Sequence, residues 1–449
     1  MQSNLAPHTQ PASNSCTGAS SSVISALEVE TMRKVSKRLV PFLLIAYLVS
    51  VIDRTNIGFA AMQMSHDVGL SQSMFGLAGG IFFVSYFICE VPSNLALERF
   101  GARRWLSRIM VSWGLVAGAS ALVIGPKTFF TARFVLGVAE AGFLPGAIYY
   151  LTNWFPSAYR SRVMAWFVLS VPAAGLLGSP ISGALLNMGG LMGLRGWQWL
   201  FVIEAIPAIL LGIFALYWLT DSPAQARWLS AEQRDWLVTR LAGDENRRHA
   251  PPKVSLWKVL SDWRVLMLTL VCGSTVTVST VLGFWQPLII RSFGVSYFNA
   301  GLLTALPYGA AALAMILWGR MSDRHGERIW FNVIPMTLAV IGMVGTLYFS
   351  SLIATVILFV LVMVGTYACK GPFWALATES VPATVAAAGI AQINALGSLP
   401  GFFASSLIGA IRQSTGSYPL AILPIAVFCA MGVVAVAMIG RLQSKARWF

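Results

Sequence analysis

Long apolar stretches alternate with short polar loops along most of the chain. Each stretch is about 20 residues long, the length that an α-helix needs to cross ~30 Å of hydrocarbon. Twelve such spans can be placed, at 39–60, 72–97, 106–125, 128–151, 162–187, 198–220, 264–290, 297–319, 328–349, 353–378, 385–411 and 418–440. The pattern predicts an all-α membrane protein with twelve transmembrane helices.

The composition supports this prediction. Of 449 residues, 57% are hydrophobic and only 11% are charged, whereas a soluble domain carries roughly 25% charged residues. The five cysteines show no C-x-x-C spacing, and the chain has no phosphate-binding loop and no plausible hydrolytic triad. We therefore expect no metal site, no cofactor and no enzymatic activity.

One long polar segment divides the chain into six spans and six spans. It contains an amphipathic helix pattern from Ser230 to Leu241 and a Pro251-Pro252 break. The first 30 residues are polar and lack the apolar core of a signal peptide, so we expect a disordered tail there. The predicted division is a tail at 1–38, a first bundle at 39–220, a linker at 221–263, a second bundle at 264–440 and a tail at 441–449.

Lysine and arginine are concentrated on one side of the predicted bundle. If the N-terminus is cytoplasmic, 24 of the 31 basic residues fall in cytoplasmic segments or at the cytoplasmic ends of spans, and only Arg54, Arg133 and Lys370 lie well inside spans. The positive-inside rule then predicts that both termini are cytoplasmic, in a cell (inner) membrane. The net charge of +14 is thus a topology signal, and no nucleic-acid partner is needed to explain it.

The two halves carry a repeated loop. Glu98-Arg99-Phe100-Gly101-Ala102-Arg103 matches Asp323-Arg324-His325-Gly326-Glu327-Arg328 with an offset of 225 residues. A parallel duplication of six helices, with the binding site between the halves, is a transporter layout. Both loops resemble the loop motif of the major facilitator superfamily.

Three further motifs resemble the anion:cation symporter branch of that superfamily, which includes bacterial tartrate, phthalate, 4-hydroxyphenylacetate and nicotinate permeases. They are Asp53-Arg54-x-Asn56, Glu90-Val-Pro-Ser-Asn94 and Arg133-Phe-Val-Leu-Gly-Val-Ala-Glu140-Ala-Gly. The resemblance implies a major facilitator fold of two pseudo-symmetric six-helix bundles. It also implies a first-span arginine for the substrate carboxylate and proton-binding acids in the first and fourth spans.

Four charges lie inside the first and fourth spans. Counting 1.5 Å per residue places Asp53 ~20 Å and Arg133 ~22 Å from the cytoplasmic edge, and Glu140 ~12 Å from it. We therefore predict an Asp53–Arg133 contact, with Arg54 facing a cavity above Glu140. The alternative is two structural ion pairs between the helices. We favour a transport site, because buried pairs stabilise weakly and transporter sites lie at this depth.

Other polar or aromatic side chains within the spans are further candidates for substrate binding. Each has a structural alternative: packing for the aromatic rings, interhelical hydrogen bonding for the amides, and extension to the membrane surface for the lysine. These candidates are Tyr47, Tyr86, Gln286, Lys370, Trp374 and Asn394.

Charged residues near the cytoplasmic helix ends are predicted to form a latch that closes this side in the outward-open state. Ordinary surface charge is the alternative. The predicted latch residues are Glu90, Glu98, Arg99, Arg103, Asp323, Arg324 and Arg328.

These features predict a monomeric secondary transporter that imports a small carboxylate by proton symport. Arg54 would bind the carboxylate, and Glu140 or Asp53, with Arg133 beside them, would carry the proton. The partners would be the substrate, the proton and the lipid bilayer. The alternative is a proton-antiport exporter of a drug or metabolite, which would need a larger and more apolar cavity.

Overall fold

The computed structural model describes residues 17–247, 262–381 and 386–446, and within these ranges the chain is helical apart from short connections. The α-helices are α1 Thr17–Val68, α2 Gln72–Phe100, α3 Ala102–Ala119, α4 Pro126–Glu140, α5 Phe143–Thr152, α6 Ser157–Leu185, α7 Gly196–Trp218, α8 Ala231–Arg247, α9 Trp263–Arg291, α10 Tyr297–His325, α11 Ile329–Gly345, α12 Leu352–Ala368, α13 Lys370–Ser380, α14 Ala386–Thr415 and α15 Tyr418–Ala446.

Eleven helical segments within the described ranges are long and apolar enough to cross a membrane. Two of these spans are broken helices, α4 with α5 and α12 with α13. The remaining predicted span corresponds to α11, an apolar helix of 17 residues. Thr346 follows the last residue of this helix, and its hydroxyl donates to the Met343 carbonyl at 2.6 Å.

The N-terminal segment that the sequence predicted to be disordered is helical from Thr17 onward, so that prediction is wrong; the first sixteen residues lie outside the described part. Contacts with other elements explain the extension of α1. The Lys34 ammonium donates to Gln233 Oε1 of α8 at 3.2 Å, and the Tyr159 hydroxyl of α6 donates to Glu28 Oε1 at 3.1 Å.

The linker helix α8 occupies the predicted amphipathic segment. Ser230 caps it, because the Ser230 hydroxyl accepts from the Gln233 backbone N–H while the Gln233 side chain accepts from the Ser230 N–H. Near its other end, Asp244 accepts a 2.8 Å bond from the Ser157 N–H at the start of α6. This bond lowers the pKa of the Asp244 carboxyl. The Pro251-Pro252 break lies outside the described residues.

The first half (α1–α7) and the second half (α9–α15) pack together through three helix pairs: α2 with α14, α6 with α10 and α1 with α9. We call the end of the bundle where α1 begins and α15 ends the terminal end, and the opposite end the distal end.

Facing glycines let the two halves meet closely at the distal end. A Cβ on Gly183 of α6 would lie 2.7 Å from the Tyr297 carbonyl oxygen, and one on Gly301 of α10 would lie 3.2 Å from the Gly183 Cα. The α2–α14 contact repeats this geometry with Gly76 and Gly409. Gly76 and Gly301 are 225 residues apart, the same offset as the repeated loops, so the distal contact follows the pseudo-symmetry.

Candidate functional site

A cavity of about 260 Å³ lies between the two halves. Tyr47 and Arg54 of α1 line it from the first half, and Tyr308, Tyr367 and Ser398 are among its lining residues from the second half. Of the described residues that line it, Arg54 alone carries a charge. The cavity can therefore hold a small polar molecule with an anionic group at the Arg54 side.

Arg54 pairs with Glu140 at the wall of this cavity. Arg54 Nε lies 2.6 Å from Glu140 Oε1, and the Ser50 hydroxyl, one turn earlier on α1, donates to the same oxygen at 2.6 Å. Glu140 is the last residue of α4, because Gly142 takes a left-handed conformation (φ 84°) that interrupts the span. A broken helix at the site is a recurrent feature of transporters.

Aromatic rings lie beside two arginines of the first half, the half-buried Arg54 and the buried Arg133. The Arg54 guanidinium lies 4.9 Å from the Tyr86 ring centroid, and that of Arg133 lies 4.9 Å from the Phe82 ring. Such cation–π contacts help to keep a guanidinium in an apolar setting. Arg133 is 3% exposed, and its Nε and Nη2 have no hydrogen-bond partner within the described residues.

The predicted Asp53–Arg133 contact is wrong for this conformation. Asp53 Oδ2 instead accepts a 2.7 Å bond from the indole N–H of Trp113 on α3. Successive residues of an α-helix point about 100° apart. Asp53 therefore faces α3, while Arg54 faces Glu140. The depth calculation placed the residues at matching heights, but it carried no information about their direction around the helix.

The other predicted substrate-binding residues lie outside the wall of the cavity in this conformation. Gln286 is fully buried and donates to the Thr304 carbonyl at 3.3 Å, which is the interhelical bonding considered as its alternative. Trp374 is half-buried, and its ring lies edge-on to Phe373. Asn394 is exposed and Tyr86 is half-buried.

Lys370 lies directly after the break between α12 and α13. Its ammonium is 5.4 Å from the ring centroid of Tyr367, a residue that lines the cavity. The lysine thus lies beside a wall residue of the cavity without lining the cavity itself.

Three of the predicted latch residues, Arg103, Asp323 and Arg328, form ion pairs, and none of these pairs joins the two halves. The Arg103 backbone N–H donates to Asp221 at 2.9 Å, with the guanidinium 3.8 Å away. In the second half, Arg328 pairs with Asp323 at 2.9 Å and with Glu379 at 3.3 Å. Glu90 is half-buried, whereas Glu98, Arg99 and Arg324 are exposed.

A cluster around Glu204 of α7 received no role from the sequence. The Ser182 hydroxyl donates to Glu204 Oε1 at 2.6 Å, and the Asn56 amide donates to Oε2 at 2.9 Å. All three residues are buried. Asn56 lies one helical turn after Asp53 in the same motif, so both side chains lie on a face of α1 that Arg54 does not share. That spacing could have indicated a polar network on this face.

Two six-helix halves, with a charged cavity between them, define a membrane transporter as a class. Residues 43–405 match the Major Facilitator Superfamily, and the chain belongs to that family. The chain is therefore an integral membrane transporter and not an enzyme, and its relatives are consistent with the anion:cation symporter branch.

Two relatives illustrate the sequence similarity of this chain to known proteins. A protein of Agrobacterium vitis, named as a candidate tartrate transporter, is 44% identical over 94% of each chain. A protein of Acinetobacter baumannii, named as a quinolone resistance transporter, is 39% identical over 87% of this chain and 90% of its own.

A solved structure shows the same fold. The D-xylose-proton symporter superposes with a TM-score of 0.71 at 17% sequence identity, covering 89% of this chain and 96% of its own. At that identity the likeness concerns the fold alone.

Proposed function

We propose that this protein imports a small organic anion together with protons. The observation that carries the proposal is the Arg54–Glu140 ion pair in the wall of the cavity between the halves. A substrate carboxylate needs a fixed cation in a low-dielectric cavity, and arginine can bind it through two parallel hydrogen bonds. Arg54 provides that cation, but Glu140 competes for it.

Competition between Glu140 and the substrate links proton binding to substrate binding. When Glu140 is ionised, it neutralises Arg54. When Glu140 binds a proton, the ion pair is lost, and Arg54 becomes available to the carboxylate. The Ser50 hydroxyl, which donates to Glu140 Oε1 at 2.6 Å in this structure, can bond to the carboxyl group whether or not it carries a proton. Proton and anion are therefore carried together, with Asp53 as a second candidate proton carrier.

The size of the cavity supports a small substrate. Its volume of about 260 Å³ lies below the range of roughly 300–1,000 Å³ that holds drug-sized ligands. The relative named for tartrate supports a small hydroxy acid as the substrate class. Phthalate, hydroxyphenylacetate, nicotinate and sugar acids complete the set of acids to be tested.

The distribution of basic residues supports an orientation with the terminal end in the cytoplasm. In that orientation the distal end, where the glycine contacts bring the two halves together, faces outward. Opening of the distal end and closing of the terminal end by the latch residues would expose the cavity to the outside. We propose that the monomer carries out this cycle in the inner membrane.

Export by proton antiport is the second candidate function. It is favoured by one observation, the 39% identity to a protein named for quinolone resistance. The small cavity and the arginine in its wall, Arg54, favour import of a small acid instead.

Uptake by the purified protein in proteoliposomes tests both candidates. Labelled tartrate, phthalate, nicotinate and gluconate are offered outside under an imposed acid-outside pH gradient. We expect accumulation of at least one acid, and its loss when a protonophore dissipates the gradient. Accumulation that survives the protonophore would contradict proton symport. Gradient-driven extrusion of a quinolone, without uptake of any acid, would establish the exporter.

A further inference from the structure

The single charge in the described wall of the cavity comes from the first half. That half contributes Arg54 together with the hydroxyls of Tyr47 and Thr55, whereas the second half contributes hydroxyl-bearing side chains and no charged residue among the described lining residues. The hydroxyls of the second half belong to Ser279, Thr280, Tyr308, Tyr367 and Ser398. A substrate whose carboxylate binds Arg54 would therefore present the rest of the molecule to hydroxyl groups.

Tyr308 and Tyr367 are the two phenols that the second half contributes to this wall. Their side chains are 5% and 2% exposed, and neither phenolic hydroxyl has a hydrogen-bond partner in the described parts of the chain. Neither phenolic oxygen is sealed from open space, and the hydroxyl of a largely buried tyrosine normally finds a hydrogen-bond partner. Since both side chains line the cavity, the missing partner is expected inside it.

The serine hydroxyls of the same wall are arranged differently. Ser279 donates to the Val276 carbonyl at 2.9 Å, and Ser398 donates to the Asn394 carbonyl at 2.8 Å. Each serine thus donates its hydroxyl hydrogen to a backbone carbonyl of its own helix. The lone pairs of its oxygen remain available to accept from a donor in the cavity. The wall therefore offers phenolic donors and serine acceptors together. This combination suits an alcohol group, which donates one hydrogen bond and accepts others.

We infer that Tyr308 and Tyr367 bind hydroxyl groups of the substrate, so that the transporter selects hydroxylated carboxylic acids over the same acids without hydroxyls. This inference rests on the proposed function, because it takes the carboxylate to be bound at Arg54. Binding of the carboxylate by one half and of the hydroxyls by the other makes the substrate a bridge between the halves. A bridging substrate would favour the closure around it that alternating access requires.

Pairs of acids that differ only in hydroxyl groups test the inference. Tartrate is compared with succinate, and glycerate with propionate, as uptake substrates in proteoliposomes. The variants are Tyr308→Phe and Tyr367→Phe, with Tyr217→Phe as the control, because Tyr217 is 81% exposed on α7. We expect each cavity variant to raise KM about tenfold for the hydroxylated acid of a pair, as loss of one hydrogen bond predicts. KM for the acid without hydroxyls should not change.

The melting temperature separates this role from a structural one. Because neither phenolic hydroxyl bonds to the described protein, both variants should melt at the wild-type temperature. Equal changes in KM for both members of a pair, or no change for either, would overturn the inference.

Arg54→Lys distinguishes failure of this inference from failure of the proposed function. It should weaken uptake of both members of each pair. If it does and the tyrosine variants match wild type, only the hydroxyl assignment fails. If wild-type protein transports none of the four acids or the other acids named above, both fail.

Discussion

Arg54 and Glu140 form an ion pair in which only the cation reaches the cavity. The Arg54 side chain is 19% exposed and lines the cavity, whereas the Glu140 side chain is 1% exposed and lies behind it. Glu140 Oε2 has no hydrogen-bond partner within the described residues. In the proposed symport, a proton would have to reach an acid that the arginine covers, and this arrangement would link substrate binding to protonation.

Replacement of Glu140 by glutamine should separate transport from proton coupling. The neutral amide resembles the protonated acid, so Arg54 remains free to bind the substrate. We expect Glu140→Gln to abolish gradient-driven accumulation while it retains exchange of labelled for unlabelled substrate across proteoliposomes. Glu232→Gln, at an exposed acid of the linker helix α8, is the control and should behave as wild type. Loss of both accumulation and exchange, with a normal melting temperature, would move Glu140 to a structural role.

Replacement of Arg54 by lysine should weaken substrate binding itself. Lysine keeps the charge, but it cannot form two parallel hydrogen bonds to a carboxylate. We expect the dissociation constant to rise about tenfold or more, which corresponds to roughly 1.4 kcal/mol, as measured by calorimetry on the purified protein. Arg108→Lys changes an arginine that stacks on Trp105 instead and should leave affinity unchanged. An unaltered dissociation constant in Arg54→Lys would refute its assignment.

The sequence predicted the helical architecture and the repeated halves. Those features depend on hydrophobic length and on repeated motifs. It did not predict that Asp53 would bond to Trp113, because that outcome depends on how α1 is rotated against α3. It also gave no sign that α1 begins at Thr17, since polar contacts with α6 and α8 support that extension.

The sequence also did not predict the role of the cavity tyrosines, for a similar reason. A tyrosine within an apolar span is compatible with packing, with interhelical bonding and with ligand binding. Tyr308 and Tyr367 lie 59 residues apart in sequence, and only the packing of α10 against α12 brings them to one wall.

The Trp113–Asp53 hydrogen bond should stabilise the first half. Both side chains are buried, so Trp113→Phe leaves a buried carboxyl group without its donor, at a cost of about 1–3 kcal/mol. We expect a lower melting temperature in detergent for Trp113→Phe. Because Asp53→Asn weakens the same interaction, the double variant should lose less stability than the sum of the two single variants. Strict additivity would show that the bond contributes nothing.

The glycine contacts at the distal end should control which side of the transporter opens. Gly301 of α10 faces Gly183 of α6, with the would-be Cβ only 2.5 Å from the Ser179 carbonyl oxygen. A leucine cannot fit against that backbone, so Gly301→Leu should prevent distal closure and favour the outward-open state. We expect transport to be lost while substrate binding is kept.

The matched control for this change lies on the same helix. A Cβ on Gly319 would have no atom within 4 Å, so Gly319→Leu should not affect distal closure. Labelling with a membrane-impermeant maleimide measures how open the distal end is. In a Ser73→Cys background, the reagent should label the Gly301→Leu variant faster than the Gly319→Leu variant. Ser73 is suitable because its N–H bonds to Gln413 across the closed distal interface. Equal labelling rates in the two variants would mean that the glycine contact does not hold the distal end shut.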